Sequence, residues 1–450
     1  MFKYIKIMDD IKADIITGRY KPGDKLGSVQ GLSKKLGVNT DTIIKAYQLL
    51  EEEHFIYSVP RSGYYVIKSV LSKSGEGSID MINVKPPDEI NPYKDFDHCM
   101  KKSAALYDYK LYEYGLPEGM EELRRVVCKY LANSHIITSP ENIIITSGAQ
   151  QALYIMATMD IKNNGDNCFG KTAKVLVEQP TYHLMLQILK ANTIPVIGIE
   201  RTKEGIDMEV LEYKFKQENI KFFYTMPRYQ NPTGFCYSLK EKMDILKLAK
   251  KYGVYIVEDD YVADLEIDSK ADSFYGLGGS ESVIYIRSFS KTLLPGLRLG
   301  MVILPPKLKK RFIEVKHLME LNTTTITQGA LEIYLKSGMY EAHIGRLKEY
   351  YSNKMKELRK LCLKYITSEN EQYIPPSGIY ATLEVSAITG TYLKNKLEKE
   401  HIYVSLLEDS YIKGYAGKSG IRLCVCNTKV EELEEAIRII GLEIDKKKNR

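Results

Sequence analysis

The distribution of hydrophobic and polar residues divides the chain into two regions that predict different structures. Up to about residue 68, apolar residues first recur at helical spacing, as in Ile5, Met8 and Ile11, and then form two short runs. From about residue 79, short apolar runs typical of strands alternate with amphipathic stretches typical of helices. The first region therefore predicts a small helical unit, and the second predicts an α/β unit with a mostly parallel sheet.

The predicted helices of the first region have recognisable end signals. Gly18 ends the first helix, and Ser28 is suited to cap a second helix that runs to Leu36. Gly37 closes that helix, and Asn39 is suited to cap a third helix whose apolar side chains share one face. Three consecutive helices are therefore expected before the two short runs.

The two short runs, 55–57 and 64–67, predict a hairpin whose turn contains Arg61. Helix, short turn, helix and hairpin is the order of a winged helix-turn-helix, and a generic three-helix interaction module is the alternative. Residues 1–68 contain 11 Lys and Arg against 8 Asp and Glu, an excess of +3 within a net charge of +6. This region is more basic per residue than the rest, which favours a nucleic acid partner.

A polar segment separates the two regions. Residues 69–78 are Ser-Val-Leu-Ser-Lys-Ser-Gly-Glu-Gly-Ser, and their Ser and Gly content predicts a flexible linker. We therefore expect a winged-helix domain at 1–68, the linker at 69–78 and an α/β domain at 79–450. A small α+β C-terminal subdomain is expected from about residue 340, with strands near 379–383 and 421–425.

The composition narrows the class of protein. With 44% hydrophobic and 27% charged residues, the 450-residue chain has the balance of a soluble globular protein. No apolar run approaches the roughly 18 residues of a membrane helix, and the N-terminus has no signal-peptide core. The seven cysteines are scattered, so reduced thiols, a cytoplasmic location and no metal site are expected.

One turn after a predicted strand suggests the chemistry of the second region. Ser288 and Lys291 lie in a Ser-Phe-Ser-Lys sequence, and Arg298 lies one loop further on. A lysine here is placed to form a Schiff base with an aldehyde, and an arginine binds phosphate in bidentate fashion. Pyridoxal phosphate needs both, with a carboxylate opposite the ring nitrogen, donors to the ring hydroxyl and an aromatic face.

The ends of other predicted strands supply candidates for these remaining parts. Asp259 is the candidate for the ring nitrogen, Tyr261 and Asn231 for the ring hydroxyl, and Tyr182 for stacking on the ring. Each motif alone has an alternative explanation. Tyr182 could be a tyrosine of the hydrophobic core, Asn231 could simply form a favourable turn, and the acids around Asp259 could belong to a metal or substrate site. Their occurrence at successive strand ends makes a chance coincidence remote.

A Ser-Gly-Ala sequence follows the predicted strand at 143–145 and begins a predicted helix. Ser147, Gly148 and Ala149 can offer hydroxyl and backbone donors to a phosphate at that helix N-terminus. The same sequence is also a common helix cap, so the motif is informative only together with the others.

Residues 1–68 resemble the DNA-binding domain of GntR-type transcription regulators. The matching stretches are 16–26, 32–39 and 46–51. The resemblance implies DNA contacts from Ser28, Gln30, Asn39, Thr40, Lys45 and Arg61, with Lys34 and Lys35 as further backbone contacts. Gln30 and Thr40 stand where the family usually has arginine, and Gly27 where it has proline, so direct readout of guanine is not implied.

Residues 79–450 resemble the fold type I aminotransferases, in which the same motifs occur in the same order. The resemblance implies that Arg422 binds a substrate α-carboxylate, for which an exposed strand arginine is the alternative. It also implies that Tyr114 reaches the phosphate of the partner subunit, with Tyr112 as the competing choice. Lys291, Asp259 and Tyr261 are the implied catalytic residues, Lys291 acting as the general acid and base.

The combined layout resembles the MocR subfamily of bacterial regulators. This implies a homodimer that binds promoter or operator DNA and holds pyridoxal phosphate as an internal aldimine at Lys291. The cofactor itself, or an amino acid or amine, is then the signal, and no membrane is involved. A catalytically active aminotransferase with an altered DNA-binding domain is the second hypothesis. A helical scaffold that binds neither DNA nor cofactor is the third.

Overall fold

The chain folds into two compact units that divide between Gly77 and Ser78. The computed structural model describes residues 3–16, 19–21, 23–53, 55–60, 62–67, 78–85, 88–161, 173–268, 272–366, 372–385 and 390–448. The predicted linker, 69–78, lies outside the described residues except for Ser78. Each unit has a hydrophobic core of its own, so each is described by itself.

The first unit contains the predicted three helices and hairpin. Its elements are α1 (Lys3–Ile16), α2 (Val29–Leu36), α3 (Thr40–Glu52), β1 (Ile56–Val59) and β2 (Gly63–Val66). β1 and β2 pair antiparallel, and the buried faces of α1 and α3 meet in a small core. That core is formed by Ile7, Met8, Ile11, Leu26, Ile43, Ala46, Tyr47, Leu50, Ile56 and Val66. The winged helix-turn-helix expected from the sequence is thus confirmed as a fold.

Two of the three end signals predicted for α2 and α3 are present in the structure, and the third, a side-chain cap from Asn39, is absent. Ser28 caps α2 by accepting a hydrogen bond from the Gly31 N–H at 3.1 Å, and Gly37 ends it at φ +63°. Asn39 stands at the N-cap of α3, but its side chain makes no capping hydrogen bond. The predicted role of Asn39 as a side-chain cap is therefore wrong, and Gly18 lies outside the described residues.

The second unit is built on a mostly parallel sheet. Its strands are β4 (Ile143–Thr146), β5 (Lys174–Gln179), β6 (Val196–Glu200), β7 (Ile220–Thr225), β8 (Tyr255–Asp259), β9 (Val283–Ser288) and β10 (Gly300–Ile303). Within the described ranges the spatial order is β4-β10-β9-β8-β7-β5-β6, and β10 alone runs antiparallel to its neighbours. The apolar runs at 143–145, 175–177, 221–225, 254–257, 283–286 and 301–304 predict six strands, and all six are present. β6 was not predicted, because Pro195 and Gly198 interrupt its apolar run.

Helices cover this sheet. In the described chain they are α4 (Tyr93–Tyr107), α5 (Glu121–Ala132), α6 (Ala149–Thr158), α7 (His183–Ala191), α8 (Met208–Gln217), α9 (Leu239–Tyr252), α10 (Pro306–Met319), α11 (Thr325–Lys336) and α12 (Met339–Tyr365). α9 shows why such boundaries are predictable. Ser238 and Glu241 form a capping box at its start, and Gly253 ends it in the left-handed conformation.

A smaller sheet forms the C-terminal part of the second unit. It contains β11 (Gln372–Tyr373), β12 (Tyr380–Glu384), β14 (Ser405–Leu406) and β15 (Gly420–Cys424), in the order β11-β12-β15-β14. The helices α13 (Gly390–Lys399) and α14 (Val430–Lys448) accompany it. A short strand at the start of the unit, β3 (Ile79–Asp80), pairs in parallel with β13 (Ile402–Tyr403) and so ties both ends of the unit together.

One buried ion pair links four elements of the second unit. Asp264, in the turn after β8, accepts hydrogen bonds from Arg287 on β9 and from Tyr130 on α5. Tyr340 on α12 donates to the same carboxylate at 2.7 Å. Arg287 is 1% exposed and lies 4.9 Å from the centre of the Tyr130 ring. Its charge therefore depends on Asp264 for neutralisation.

We expect the change Asp264→Asn to destabilise the second unit by roughly 3–5 kcal/mol, because it leaves the buried Arg287 charge without a counter-charge. Thermal unfolding followed by circular dichroism measures the effect. Glu434→Gln is the control, since it removes an exposed pair with Lys364 at 3.0 Å and should cost at most about 1 kcal/mol. Equal shifts in melting temperature for the two variants would contradict the assigned role of Asp264.

Candidate functional site

A cavity of about 390 Å³ opens at the carboxyl ends of the central strands of the second unit. We call it the Lys291 cavity. Nine residues singled out in the sequence line it: Ala149, Tyr182, Asn231, Asp259, Tyr261, Ser288, Lys291, Arg298 and Arg422. They come from six separate stretches of chain. Because β5, β7, β8 and β9 run parallel, the residues that follow them meet at one edge of the sheet.

Asp259 presents an unsatisfied carboxylate oxygen to this cavity. Its Oδ2 accepts a hydrogen bond from the Tyr224 hydroxyl at 2.8 Å, whereas Oδ1 has no partner among the described residues. Burial raises the pKa of Asp259 to about 7, and the neighbouring Asp260 charge adds to the rise. A cationic N–H opposite Oδ1 would satisfy both the empty acceptor and the charge.

The other two acids of the Glu-Asp-Asp sequence point away from the cavity and have partners. Glu258 accepts from the N–H groups of Phe274 and Tyr275 at 2.9 and 3.0 Å. Asp260 forms a buried ion pair with Arg228. The alternation of strand side chains thus leaves Asp259 as the acid that faces the cavity.

Lys291 lies in the same cavity as Asp259. Burial lowers the pKa of the Lys291 ammonium below its usual range, and the positive charges of Arg422 and Arg298 lower it further. A larger share of Lys291 is then the neutral amine, which is the nucleophilic form. The positive charge of Lys291 in turn opposes the rise in the pKa of Asp259, because it favours the ionised carboxylate.

Arg298 and the start of α6 form a cradle at one end of the cavity. Gly148 has φ +81°, and a Cβ added there would stand 2.8 Å from Arg298 Nη2. α6 begins without a side-chain cap, so its first N–H groups remain available to an anion. Ser290, which was not singled out, also lines the cavity, and its buried hydroxyl has no partner among the residues described. These donors suit a phosphate.

Ser147 does not contribute its hydroxyl to this cradle. Its Oγ donates to Glu320 at 2.6 Å, and its backbone N–H donates to Gln151 at 2.9 Å. The expectation of a free Ser147 hydroxyl is therefore wrong, because Glu320 at the end of α10 was not visible as a neighbour in the sequence. Ser290 was detectable, since the Ser-Phe-Ser-Lys sequence contains it.

Three further polar or aromatic side chains line the same cavity as Asp259 and Lys291. Burial raises the pKa of Tyr182 to about 12, so its ring presents a neutral face. The Tyr261 hydroxyl donates to the Tyr229 carbonyl at 2.6 Å. Asn231 accepts from Arg422 through Oδ1 at 2.9 Å, which leaves its amide NH₂ as a donor. These are the groups that a ring with a phenolic oxygen requires.

Arg422 on β15 is buried, so the alternative of an exposed strand arginine is wrong. Besides Asn231, it donates to Ser405 at 2.9 Å and to the Ile82 carbonyl at 3.3 Å. Its Cζ lies 4.3 Å from the centre of the Tyr380 ring, and its Nε has no acceptor in the described part of the chain. Tyr380 also lines the cavity, and nothing in the sequence near it signals this position.

Tyr114 lies away from the Lys291 cavity in the single chain. It is 85% exposed and lines a separate shallow depression with Tyr112 and Thr325. Several neighbouring apolar residues are also exposed: Tyr93, Leu106, Tyr109, Tyr112 and Leu116. Five of the exposed apolar side chains in the described chain thus lie within the segment 106–116.

In the first unit, the residues expected to contact DNA are exposed. These are Ser28, Gln30, Lys34, Lys35, Asn39, Thr40 and Lys45, whereas Arg61 lies outside the described residues. Lys45 packs over the ring of Tyr4 at 4.6 Å. On α3, Ile44 and Gln48 are exposed on the same side as Thr40, next to the buried Ile43 and Tyr47. This Thr40–Ile44–Gln48 stripe was not singled out, although the helical period predicts it.

Comparison with known families agrees with both units. The family model for bacterial regulatory proteins of the gntR family matches residues 3–66. The model for aminotransferase class I and II matches residues 89–440. The chain belongs to the aminotransferase class I and II family and carries a gntR-family domain. It is a MocR-like transcription regulator.

Curated relatives with the same layout support this. The "Uncharacterized HTH-type transcriptional regulator YcxD" of Bacillus subtilis (strain 168) is 38% identical over 447 residues, 98% of this chain and 99% of that protein. The "Probable rhizopine catabolism regulatory protein MocR" of Rhizobium meliloti is 24% identical, over 80% of this chain and 77% of that protein.

Solved structures support the fold of the second unit of this MocR-like regulator. A kynurenine aminotransferase of Pyrococcus horikoshii, in complex with PMP, has a TM-score of 0.75 at 24% identity, covering 82% of this chain and 91% of that one. The α-aminoadipate aminotransferase LysN of Thermus thermophilus gives 0.75 at 23%, covering 83% and 94%. The fold type I architecture is thereby confirmed. Among the described helices, none is long and apolar enough to cross a membrane.

The residues of the Lys291 cavity fit pyridoxal phosphate. Asp259 Oδ1 lacks a donor and the Ser290 hydroxyl lacks a partner within the described residues. The Gly148 turn, without a Cβ, leaves room beside Arg298 for an anion. A carboxylate, a phosphate cradle, an aromatic face and a lysine of lowered pKa are the parts that this cofactor needs.

We expect the contribution of Asp259 to the stability of the cofactor-free protein to fall as the pH rises from about 4 to about 7. Asp259 has a pKa of about 7 when folded and 3.8 as its ordinary value, so the unfolded chain releases this proton first. Below about pH 4 the Asp259 carboxyl is protonated in both the folded and the unfolded chain, so its ionisation costs no stability. Above about pH 7 the folded protein bears the full free-energy cost of burying the ionised carboxylate. The variant Asp259→Asn should remove this part of the pH dependence of the melting temperature.

Glu258 is a second acid whose pKa burial raises to about 7, so wild type and Asp259→Asn must be compared over the same pH series. The difference between their two curves isolates Asp259. Parallel curves between pH 4 and pH 8 would show that its carboxylate is not destabilised by burial.

Proposed function

We propose that this regulator holds pyridoxal phosphate at Lys291 and uses the cofactor to detect an amino compound that alters its binding to promoter DNA. The observation that carries the proposal is the pairing of Lys291 with the unsatisfied Asp259 in one cavity. The same chain has a winged helix-turn-helix whose polar face is exposed. A cofactor site and a DNA-binding domain in one polypeptide couple a small-molecule signal to transcription.

In this proposal each residue of the cavity has a defined task. The cofactor supplies an aldehyde that condenses reversibly with primary amines. Asp259 accepts the hydrogen bond of the ring nitrogen and stabilises its positive charge. Arg298, the Ser290 hydroxyl and the first N–H groups of α6 bind the phosphate. Tyr182, which lines the same cavity, would offer its aromatic face to the cofactor ring.

The remaining donors of the cavity act on the ring hydroxyl and on the signal molecule. Asn231 would donate to the ring oxygen through its amide NH₂, and Tyr261, whose hydroxyl donates to the Tyr229 carbonyl, would offer its own oxygen as an acceptor. Arg422 binds a carboxylate of the effector, because its guanidinium is buried and its Nε has no acceptor among the described residues. An amino acid, with an amine for the cofactor and a carboxylate for Arg422, satisfies both. Ser288, at the end of β9, supports the turn by accepting from the Ser290 N–H at 3.2 Å.

DNA binding is assigned to the exposed face of α2, α3 and the wing. Gln30, Asn39 and Thr40 lie at or near the starts of these helices, where side chains reach base edges and phosphates. Ser28 and Lys45 are exposed as well, and Arg61 belongs to the predicted wing turn. Because glutamine and threonine replace the family's arginines, we propose a DNA preference different from guanine-rich half-sites.

We further propose that the protein is a homodimer whose subunits meet at the exposed apolar surface near α4. Leu106, Tyr109 and Leu116 are large apolar residues exposed within eleven positions of one another. Covering such a surface with a second copy removes it from water. Tyr114, exposed in the single chain, then becomes available to the phosphate bound by the partner subunit.

A working aminotransferase is the second candidate function. The buried Arg422 favours it, because a carboxylate-binding arginine beside Lys291 completes the set that substrate turnover needs. In that case Lys291 moves the substrate α-proton as general acid and base. Mixing the protein with a panel of amino acids and 2-oxo acids separates the candidates. Repeated turnover indicates an enzyme, and a spectral change without turnover indicates a sensor.

We expect the change Lys291→Ala to abolish the reversible visible absorbance of the protein-bound cofactor. It should also abolish the effect of cofactor and amino compounds on binding to DNA taken from the neighbourhood of the protein's own gene. Lys310→Ala, an exposed lysine on α10, is the control and should behave like wild type. Absorbance titration and electrophoretic mobility shift measure the two effects. Wild-type protein that binds none of this DNA, with or without cofactor, would refute the regulator hypothesis.

We expect the double change Leu106→Arg and Tyr109→Arg to convert the dimer into a monomer, because four like charges would face one another across the interface. Sedimentation equilibrium measures the mass. Leu363→Arg is the control, since Leu363 on α12 is 73% exposed but lies outside the proposed interface. A wild-type monomer at micromolar concentration, or a dimer that survives the double change, contradicts the proposed interface.

A further inference from the structure

The helix α3 presents one continuous stripe of exposed side chains. Thr40, Ile44 and Gln48 follow one another at intervals of four residues, and each of them is exposed. Side chains four residues apart lie one above the other on the same side of a helix. The Thr40–Ile44–Gln48 stripe therefore has an apolar side chain between two polar ones.

Contacts on the other sides of α3 fix the direction in which this stripe faces. The Tyr47 hydroxyl donates to the Gly27 carbonyl at 2.7 Å, which ties α3 to the residue before the cap of α2. The Glu51 carboxylate accepts from the Ser58 N–H at 2.8 Å, which ties α3 to β1 of the hairpin. Side chains on a helix held in this way are presented in a defined geometry.

Ile44 is the apolar member of the stripe and is 36% exposed. Single exposed apolar side chains are ordinary on a protein surface, so exposure alone carries no information. Ile44 lies in the second turn of α3, however, and the N-terminal part of this helix is the part that faces base edges in a helix-turn-helix. The apolar group that base pairs present in the major groove is the C5-methyl group of thymine. An isoleucine in the groove therefore favours thymine.

Gln48 lies one turn further along α3 and is exposed. A glutamine amide can bind adenine in bidentate fashion, by donating to N7 and accepting from the N6 amino group. Cβ atoms four residues apart on a helix are separated by about 5–6 Å, and neighbouring base pairs by about 3.4 Å. Ile44 and Gln48 can therefore reach bases within about two base-pair steps of each other.

The neighbouring charged residues do not supply a guanine reader of the usual kind. Neither α2 nor α3 contains an arginine, which is the commonest partner of guanine. Lys45 packs over the ring of Tyr4 on α1 at 4.6 Å. Asp41 stands in the first turn of α3, where the helix dipole favours its negative charge. Lys34 and Lys35 lie in the last turn of α2, the helix that crosses the phosphate backbone.

We infer that the Thr40–Ile44–Gln48 stripe reads A·T base pairs in the major groove of DNA. Ile44 contacts a thymine methyl group, and Gln48 binds an adenine no more than about two base-pair steps away. Thr40, at the start of α3, is placed for the adjoining phosphate. Such readout rests on the proposed DNA binding and adds the base preference that the missing arginines leave open.

Exchanging thymine for deoxyuridine tests the Ile44 contact, because it removes one methyl group per base and keeps the base pairing. The probe is the duplex most enriched by the full-length protein, with pyridoxal phosphate present, from a pool whose random centre of about 30 base pairs holds two half-sites one helical turn apart. Fluorescence anisotropy compares this duplex with its deoxyuridine version. Wild type should bind the deoxyuridine duplex at least about threefold more weakly, since a methyl group is lost from an apolar contact.

Ile44→Ala should bind the thymine duplex at least about threefold more weakly than wild type and should no longer distinguish the two duplexes. Leu36→Ala is the matched control. Leu36 is also apolar and is 46% exposed, but it lies at the end of α2 and outside the stripe, so this variant should keep the discrimination of wild type. Melting curves from circular dichroism establish that both variants are folded.

Exchanging adenine for 7-deazaadenine tests Gln48 in the same way, because it removes the N7 acceptor alone. Wild type should lose about fivefold in affinity, the effect of one hydrogen bond, and Gln48→Ala should respond to the exchange by less than about twofold.

Wild-type binding that is indifferent to deoxyuridine, or an equal loss in wild type and Ile44→Ala, refutes the assigned thymine contact. Enriched duplexes that share no A·T pair refute the A·T readout as a whole. In both cases DNA is still bound and the proposed function stands. A full-length protein that enriches no duplex refutes the proposed DNA binding together with the readout.

Discussion

The parallel pairing of β5, β7, β8 and β9 is the constraint on which the candidate site depends. Parallel strands need long crossover connections, so residues adjacent at the sheet edge are far apart in sequence. Tyr182, Asn231, Asp259 and Lys291 follow these four strands and span more than one hundred positions. A slip of one residue in β8 would turn Asp259 into the opposite layer and bring Glu258 or Asp260 to the cavity.

That register also explains how three consecutive acids are tolerated in a buried place. Glu258 is satisfied by two backbone N–H groups and Asp260 by the guanidinium of Arg228. Only Asp259 keeps an oxygen without a partner among the described residues, and it alone faces the cavity. A structural acid would be expected to find a second donor, as its neighbours do. Asp259 differs in this respect from Glu258 and Asp260, and its unsatisfied oxygen therefore indicates a functional role.

Much of this could be predicted from the sequence, because strand ends, caps and turns leave local signals. The limits of α2 and α9 follow from Ser28, Gly37, Ser238 and Gly253, and the order of motifs identified the fold type I unit. The site residues that were wrongly predicted or missed are those whose neighbours are distant in the sequence. Ser147 is bound by Glu320, 173 positions away, and Tyr380 enters from the C-terminal sheet.

Arg422 shows how chemistry in the Lys291 cavity can change the geometry of the second unit. It donates hydrogen bonds to Asn231 in the turn after β7 of the large sheet, to Ser405 of the C-terminal sheet and to the carbonyl of Ile82. A carboxylate offered to this guanidinium is charged and competes with these neutral acceptors, since charge-assisted hydrogen bonds are about twice as strong. In the proposed sensor, effector binding would therefore loosen the links that Arg422 makes between the two sheets. A signal molecule without a carboxylate would leave those links intact, so the carboxylate, rather than the amine, would carry the conformational part of the signal.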